Sequence, residues 1–295
     1  MKIIEPSAEI IEPELAGLSI CQRIDRCAAT CYQRPPRPTE DEAQAFCRHL
    51  IERGHLPALE FAVVHLVMPW SLVVDFDGEK YLSVSWPSGD GPGVVSGSIR
   101  AFMEARSVFD VRAFLAGEIE TGTFFSVPSG ASHDFDSMEG IRFATPDEIP
   151  WQHRHVAVRV ICSRAISHQL VRHRPCSFLQ ESQRYCRYDD GIEVIAPQWL
   201  GGDRAIDAKW LNHMRYCSSE YKTLCTWGLS PQEARGVLPN DTKTELIMYA
   251  SLPEWRHIFA MRCAKAADPE MRRIMVPLRE QFQAEYPEMW EGEKS

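Results

Sequence analysis

His155–Tyr185 reads HVAVRVICSRAISHQLVRHRPCSFLQESQRY. Its first half decides the fold. Val156, Val158, Val160 and Cys162 alternate with polar or small residues, a period of two that predicts a half-buried strand. In SRAISHQLVRHR the period lengthens: Ile166 and Leu170 stand one helical turn apart. This predicts a helix closed by Arg172-His173-Arg174, with Pro175 ending or turning it. Strand therefore runs directly into helix. C-terminal to this stretch, a long helix is expected from about Asp203 to Trp227, with Ile206, Trp210, Met214 and Cys217 on its apolar face. Ser230-Pro231-Gln232-Glu233 is a capping box with Pro at the first helical position. Ser251-Leu252-Pro253-Glu254 reads as another helix start, with Trp255 and Phe259 facing inward.

N-terminal to the same stretch, Thr39 and Glu42 form a T-x-x-E capping box, Phe46 and Leu50 share a helix face, and Gly54 is a stop. LEFAVVHLV is apolar and strand-like. Residues 69–150 are less regular: a strand around YLSVSW, a turn-rich GDGPG, a helix around SIRAFMEARSVF and an exposed loop at SGASHDFDSMEG. Helices outnumber strands, and regular βαβ alternation is absent. The class is α/β of the α+β type: a mixed sheet covered by helices, in a single-domain protomer spanning 1–295. The length of 295 residues suits one large domain or two small ones.

Composition narrows the function. Hydrophobic residues are 44% and charged residues 25%, which argues against disorder and coiled coil. No apolar run approaches the roughly 18–20 residues of a membrane span. MKIIEPSAEIIEPEL has acids where a signal peptide has a basic end and an apolar stretch, so a cytoplasmic location is expected. A net charge of −9 disfavours nucleic acid and anionic membrane as partners.

Against that acidic background, residues 151–188 hold seven arginines, four histidines and one acid, Glu181. Arginine grips phosphate through a planar fork of two parallel donors, so this segment is an anion-site candidate. A solvated basic face is the alternative. Gln169 lies one turn before His173 and three residues before Arg172, so it projects near both. The following run, Ser177 to Tyr185, is rich in donors and acceptors.

RHRPCSFLQESQRY resembles the signature of the flavin-dependent thymidylate synthases, RHR with Ser after seven intervening residues. Arg172, His173, Arg174 and Ser182 match it, and Ser177, Arg184 and Tyr185 also stand in family positions. GHLPALEFA resembles the family's GH-x-x-x-x-E segment, with His55 and Glu60 in place. Ala234–Arg262 resembles its C-terminal block, with Arg235, Leu238-Pro239, Thr244, Trp255, Arg256, His257 and Arg262 in place. The resemblance covers roughly residues 20–68 and 151–285; the middle, about 69–150, is family-atypical. The family often has Asn-Glu at Leu179-Gln180, and usually Asn and Arg at Ser251 and Pro253. These departures leave two readings: flavin contacts made by backbone, or a different acceptor nucleotide.

The resemblance implies reductive methylation of dUMP at C5, with FAD as redox cofactor, NADPH as reductant and methylenetetrahydrofolate as carbon donor. The alternative is a related C5-methylase or hydroxymethylase of another uridine nucleotide such as UMP. It also implies a homotetramer with sites shared between subunits. Carried over, Gln169, Leu170, Val171 and Arg172 bind dUMP, and Gln180, Glu181, Ser182, Gln183 and Arg184 line its pocket. Arg235 binds dUMP from a neighbouring subunit. Arg172, His173 and Arg174 contact FAD, as do Pro57, Gln180, Ser251, Leu252, Pro253 and His257. His55 lies by the flavin ring and folate. Arg262 is the catalytic group, promoting ionisation of uracil N3 and so enriching C5 as a nucleophile.

Weaker features keep ordinary readings beside sharper ones. Cys21, Cys27 and Cys31 are either buried thiols or a zinc site, and no metal is expected. Ser182 is a phosphate-binding hydroxyl rather than a nucleophile, for want of an oriented base. Cys176 and Cys186 read as packing. His153 and His155 read as surface or interface residues rather than a metal pair. Ser96–Arg100 reads as a helix cap rather than an anion site, and Gly89, Gly91 and Gly93 as a hairpin turn rather than a phosphate cradle. An RNA-binding module is opposed by the net charge and the absence of an RNA motif.

Overall fold

Ten strands form among the described residues of the computed structural model, which are 1–86, 89, 91–105, 111, 115 and 140–291. They are β1 (Lys2–Ile4), β2 (Ser7–Ile10), β3 (Val63–Met68), β4 (Leu82–Ser85), β5 (Gly93–Ser98), β6 (Arg142–Phe143), β7 (His155–Ser163), β8 (Ser177–Gln180), β9 (Glu193–Ile195) and β10 (Lys243–Ser251). The expected mixed sheet is instead three sheets: a parallel pair β1-β9, and two four-stranded sheets ordered β2-β7-β10-β8 and β4-β5-β3-β6. Contacts divide the chain into two units. The first is Met1–Glu14, Ala29–Arg34 and Val156–Ser295; the second is Leu15–Ala28 and Pro35–His155.

In the first unit, six of the nine residues of β7 are buried, Ala157 as well as its valines, and His155, Arg159 and Ile161 are half-buried; the strand lies between β2 and β10. β8 pairs antiparallel with β10, with Leu246 opposite Gln180 and Tyr249 opposite Ser177. The helix Leu252–Arg262 starts where Ser251 Oγ accepts the Glu254 N–H at 3.4 Å. Pro253 sits in the first turn, where a missing N–H costs no helical bond. Trp255, Phe259 and Phe282 of the helix Pro269–Glu285 are buried with ring centroids 5.1–5.7 Å apart. Burial of each contributes on the order of 1.5–3 kcal/mol. The Trp255 indole N–H donates to the Val156 carbonyl at 3.0 Å, which fastens this helix to β7. The long helix is observed at Arg204–Thr226, capped by Asp203. Met214 and Cys217 are buried, but Ile206 is exposed, contrary to its expected inward face.

In the second unit, Thr39 caps the helix Glu40–Glu52 as expected, and Gly54 beyond its end has φ +66°. LEFAVVHLV divides: Leu56–Phe61 is a 3-10 helix and only Val63 onward is strand. Pro57 lies in the first turn of that 3-10 helix. The sheet β4-β5-β3-β6 is antiparallel throughout, as the hairpin reading of GDGPG expects; Asp90 lies outside the described residues. A Cβ on Gly97 would meet Leu82 Cδ2 at 2.2 Å, so a side chain there would force Leu82 to shift. Ser98 caps the helix Ile99–Glu104, and Arg100 pairs with Glu60 and Glu104. The remainder of SIRAFMEARSVF beyond Ala105, and SGASHDFDSMEG before Gly140, lie outside the described residues.

His153 is buried, not a surface residue. Its Nδ1 and Nε2 are each 2.9 Å from the hydroxyls of Ser96 and Ser85, and Ser96 Oγ is 2.8 Å from His65 Nδ1. Burial lowers both imidazoles, His65 to about 4, so both rings are neutral at pH 7. Cys21 and Cys27 are buried in this unit. Among the described residues, no group of three or more His, Cys, Asp or Glu is arranged to hold a metal ion. No described helix is long and apolar enough to cross a membrane.

Candidate active site

The helix after β7 is Arg164–Leu170, capped by Ser163 Oγ, and it stops earlier than expected. Val171 is its C-cap, so Arg172-His173-Arg174 stands in the turn that follows rather than closing the helix. The Arg172 and His173 N–H groups donate to the Gln169 and Leu170 carbonyls in tight i→i−3 bonds. Pro175 disfavours helical geometry at Arg174, so the chain leaves the helix before reaching it. The turn alternates in exposure: Arg172 and Arg174 are exposed, and His173 between them is buried.

His173 meets the last turn of the helix Leu252–Arg262. Arg262 Nε donates to His173 Nε2 at 2.9 Å, and Arg262 Nη2 donates to the Gln169 carbonyl at 3.1 Å. Residues 169, 173 and 262 are thus brought together across 89 to 93 positions of sequence. Burial, then the neighbouring Arg262 and His257, lower His173 to about 4. The ring is neutral at pH 7 and free to accept from a guanidinium. His257 lies edge-on to it, centroids 6.4 Å apart. Glu254 Oε1 stands 3.8 Å from His173 Nδ1, and burial raises its carboxyl above the usual range. The Gln169 amide donates to Asp268 Oδ2 at 2.8 Å, Leu170 is buried and Val171 exposed.

A second group forms around the polar run. The Gln180 amide donates to Ser167 Oγ (2.9 Å) and Thr244 Oγ1 (3.1 Å). Glu181 is buried, its carboxylate held by Tyr188 OH (2.8 Å), Lys243 Nζ (3.0 Å) and the Glu245 N–H (3.2 Å). Ser182 donates its N–H to the Cys31 carbonyl, and its Oγ accepts the Arg184 N–H at 3.3 Å. Arg184 Nε donates to Gln232 Oε1 at 2.8 Å, three residues before the exposed Arg235. Gln183 Nε2 is buried with no hydrogen-bond partner among the described residues.

His173 Nε2 is occupied by Arg262, so it is no base for Ser182. Burial raises the Cys176 and Cys186 thiols and lifts Cys31 to about 11, which fits packing rather than nucleophilic roles. Ser251 Oγ is spent on its cap, Leu252 is buried and Pro253 half-buried. His55 and Pro57, both exposed, belong to the other unit.

Sequence reading missed Glu254, Asp268, Gln232 and Lys243. Glu254 is eight residues, about two turns, before Arg262 on one helix face, a spacing that could have flagged it. Asp268 precedes a Pro-Glu helix start. Nothing local marks Lys243 as the partner of Glu181.

Residues 144–288 match a family model described as thymidylate synthase complementing protein. Over that segment the chain is similar to flavin-dependent thymidylate synthases. Those of Pyrococcus furiosus and Geobacter sulfurreducens are each 36% identical, over 124 and 117 residues, 41% and 39% of this chain and 51% and 50% of theirs. That of Mycolicibacterium gilvum is 33% identical over 143 residues, 43% of this chain and 57% of its own. The chain spans about half the length of the relatives it matches.

Proposed function

We propose that this chain is a flavin-dependent thymidylate synthase, converting dUMP to dTMP with FAD, NADPH and methylenetetrahydrofolate. One observation carries the reading: Arg262 is fixed at two points, by neutral His173 and by the Gln169 carbonyl, beside the RHR turn. An arginine so held has a fixed direction and leaves Nη1 for a substrate. Its role is to draw negative charge onto uracil N3 and the flanking carbonyls, which activates C5. FAD, when bound, supplies the redox chemistry.

The chain's donors fit that cofactor. Arg172 and Arg174 are exposed cations on an acidic protein, suited to a diphosphate, and Gln183 Nε2 is a buried donor without a partner among the described residues. Arg184, oriented by Gln232, and Ser182 suit the phosphate of dUMP. Arg235 completes the nucleotide site from a neighbouring subunit of a homotetramer.

The engagement of Gln180 with Ser167 and Thr244, and of Ser251 with its helix, keeps alive the second reading, C5 modification of another uridine nucleotide such as UMP. Incubating the purified full chain with FAD, NADPH, methylenetetrahydrofolate and either dUMP or UMP separates the two. Mass-spectrometric dTMP is expected from dUMP. No dTMP, with product from UMP, would install the second reading; no product from either would reject both.

A further inference from the structure

The arginine–histidine contact fixes a proton. Guanidinium nitrogen is a donor only, and Arg262 Nε lies 2.9 Å from His173 Nε2. Nε2 must therefore present its lone pair, and a neutral ring then carries its proton on Nδ1. The residue facing Nδ1 is Glu254, with Oε1 at 3.8 Å. That is too long for a hydrogen bond but close enough for a carboxylate to favour the N–H end of the ring. Glu254 and Arg262 lie about two turns apart on one helix, and the imidazole bridges them. Glu254 is itself secured, its N–H capped by Ser251 Oγ and its Oε1 4.0 Å from the Cys176 thiol.

We propose that Glu254 is a positioning residue, which holds His173 in the Nδ1–H form so that Nε2 can accept from Arg262 and fix the direction of its guanidinium. In the opposite tautomer, Nε2–H would face Arg262 Nε–H and Nδ1 would turn its lone pair toward the carboxylate. Both contacts would be repulsive, and Arg262 would keep only its bond to the Gln169 carbonyl. This inference rests on the proposed function for the importance of Arg262, but not for the tautomer itself.

The test is nitrogen NMR on the full chain labelled with 15N-histidine, with the His173 signals assigned by their loss in His173→Gln. The wild-type protein is expected to show His173 protonated on Nδ1. Glu254→Leu is expected to shift it toward a mixture of tautomers and to lower kcat about tenfold, with the KM for dUMP little changed. Glu254→Gln, whose amide oxygen can still face Nδ1–H, is expected to retain the tautomer and most of the turnover. An Nε2-protonated His173 in the wild-type protein overturns the proposal without any variant, as does an unchanged tautomer in folded Glu254→Leu. If the tautomer responds to Glu254 while Arg262→Met still makes dTMP at the wild-type rate, the positioning stands and the catalytic reading of Arg262 falls.

Discussion

Replacing Lys243 by Met removes the cation from the buried Glu181 pair while keeping the length of the side chain. The side chains of Glu181 and Lys243 are 2% and 11% exposed, with Nζ 3.0 Å from Oε2. Removing one partner of a buried pair costs about 3–5 kcal/mol, because the other charge is left without compensation. Here two neutral donors stay on Glu181, Tyr188 OH and the Glu245 N–H, and each softens the loss. The expected cost is therefore at the low end, about 3 kcal/mol, a large fraction of the roughly 5–15 kcal/mol that stabilises a typical domain. Urea unfolding of the full chain, followed by circular dichroism and tryptophan fluorescence, reads it as a lowered midpoint. Adding Glu181→Gln removes the stranded charge, and the double variant should recover to within about 1 kcal/mol of wild type. A Lys243→Met loss below about 1 kcal/mol would mean that the pair behaves as a solvated one. The burial of Glu181 would then not be what ties the Ser182–Arg184 turn to β10.

Arg262→Ala should abolish dTMP formation while the protein still releases FAD on denaturation; retained turnover rejects the catalytic assignment. His65 and His153 are held neutral in the fold, whereas unfolded histidine titrates near 6.5. Protons therefore bind the unfolded chain first as pH falls. Stability from the His65 ring is complete above about pH 6.5 and is lost as pH drops toward 4, and His65→Asn should make the decline in urea midpoint over that window shallower. Gly97→Ala should destabilise by about 1–3 kcal/mol, since its new methyl meets Leu82 at 2.2 Å. Leu82→Ala in the same chain should recover part of that loss in thermal melts, and strict additivity would contradict the contact.

Features within one turn of each other were legible in the sequence. The cap at Thr39, the helix starts at Ser251 and near Asp203, the strand at 155–163 and the inward Trp255 and Phe259 depend on neighbours a few residues away, and sequence displays those neighbours directly. The helix before Arg172 ends earlier than its sequence predicts, although the cause is also local: Pro175 restricts Arg174, and the helix closes at Val171 in tight turns. Ile206 kept the right period yet remained exposed, since periodicity assigns a face without saying what covers it.

By itself, the sequence determined the signature Arg172-His173-Arg174 to Ser182, the concentration of cations in an acidic chain, and the starts of the helices that carry the candidate site. Only the tertiary structure decided that His173 is a buried neutral acceptor for Arg262, that Glu181 turns inward to Lys243, and that the atypical middle region contributes strands to a separate antiparallel sheet. The physical reason is range. Caps and periods arise from bonds spanning three or four residues, whereas those contacts join side chains 62 and 89 positions apart. Protonation and direction at such contacts are set by burial and by which group arrives opposite, and no local spacing specifies either.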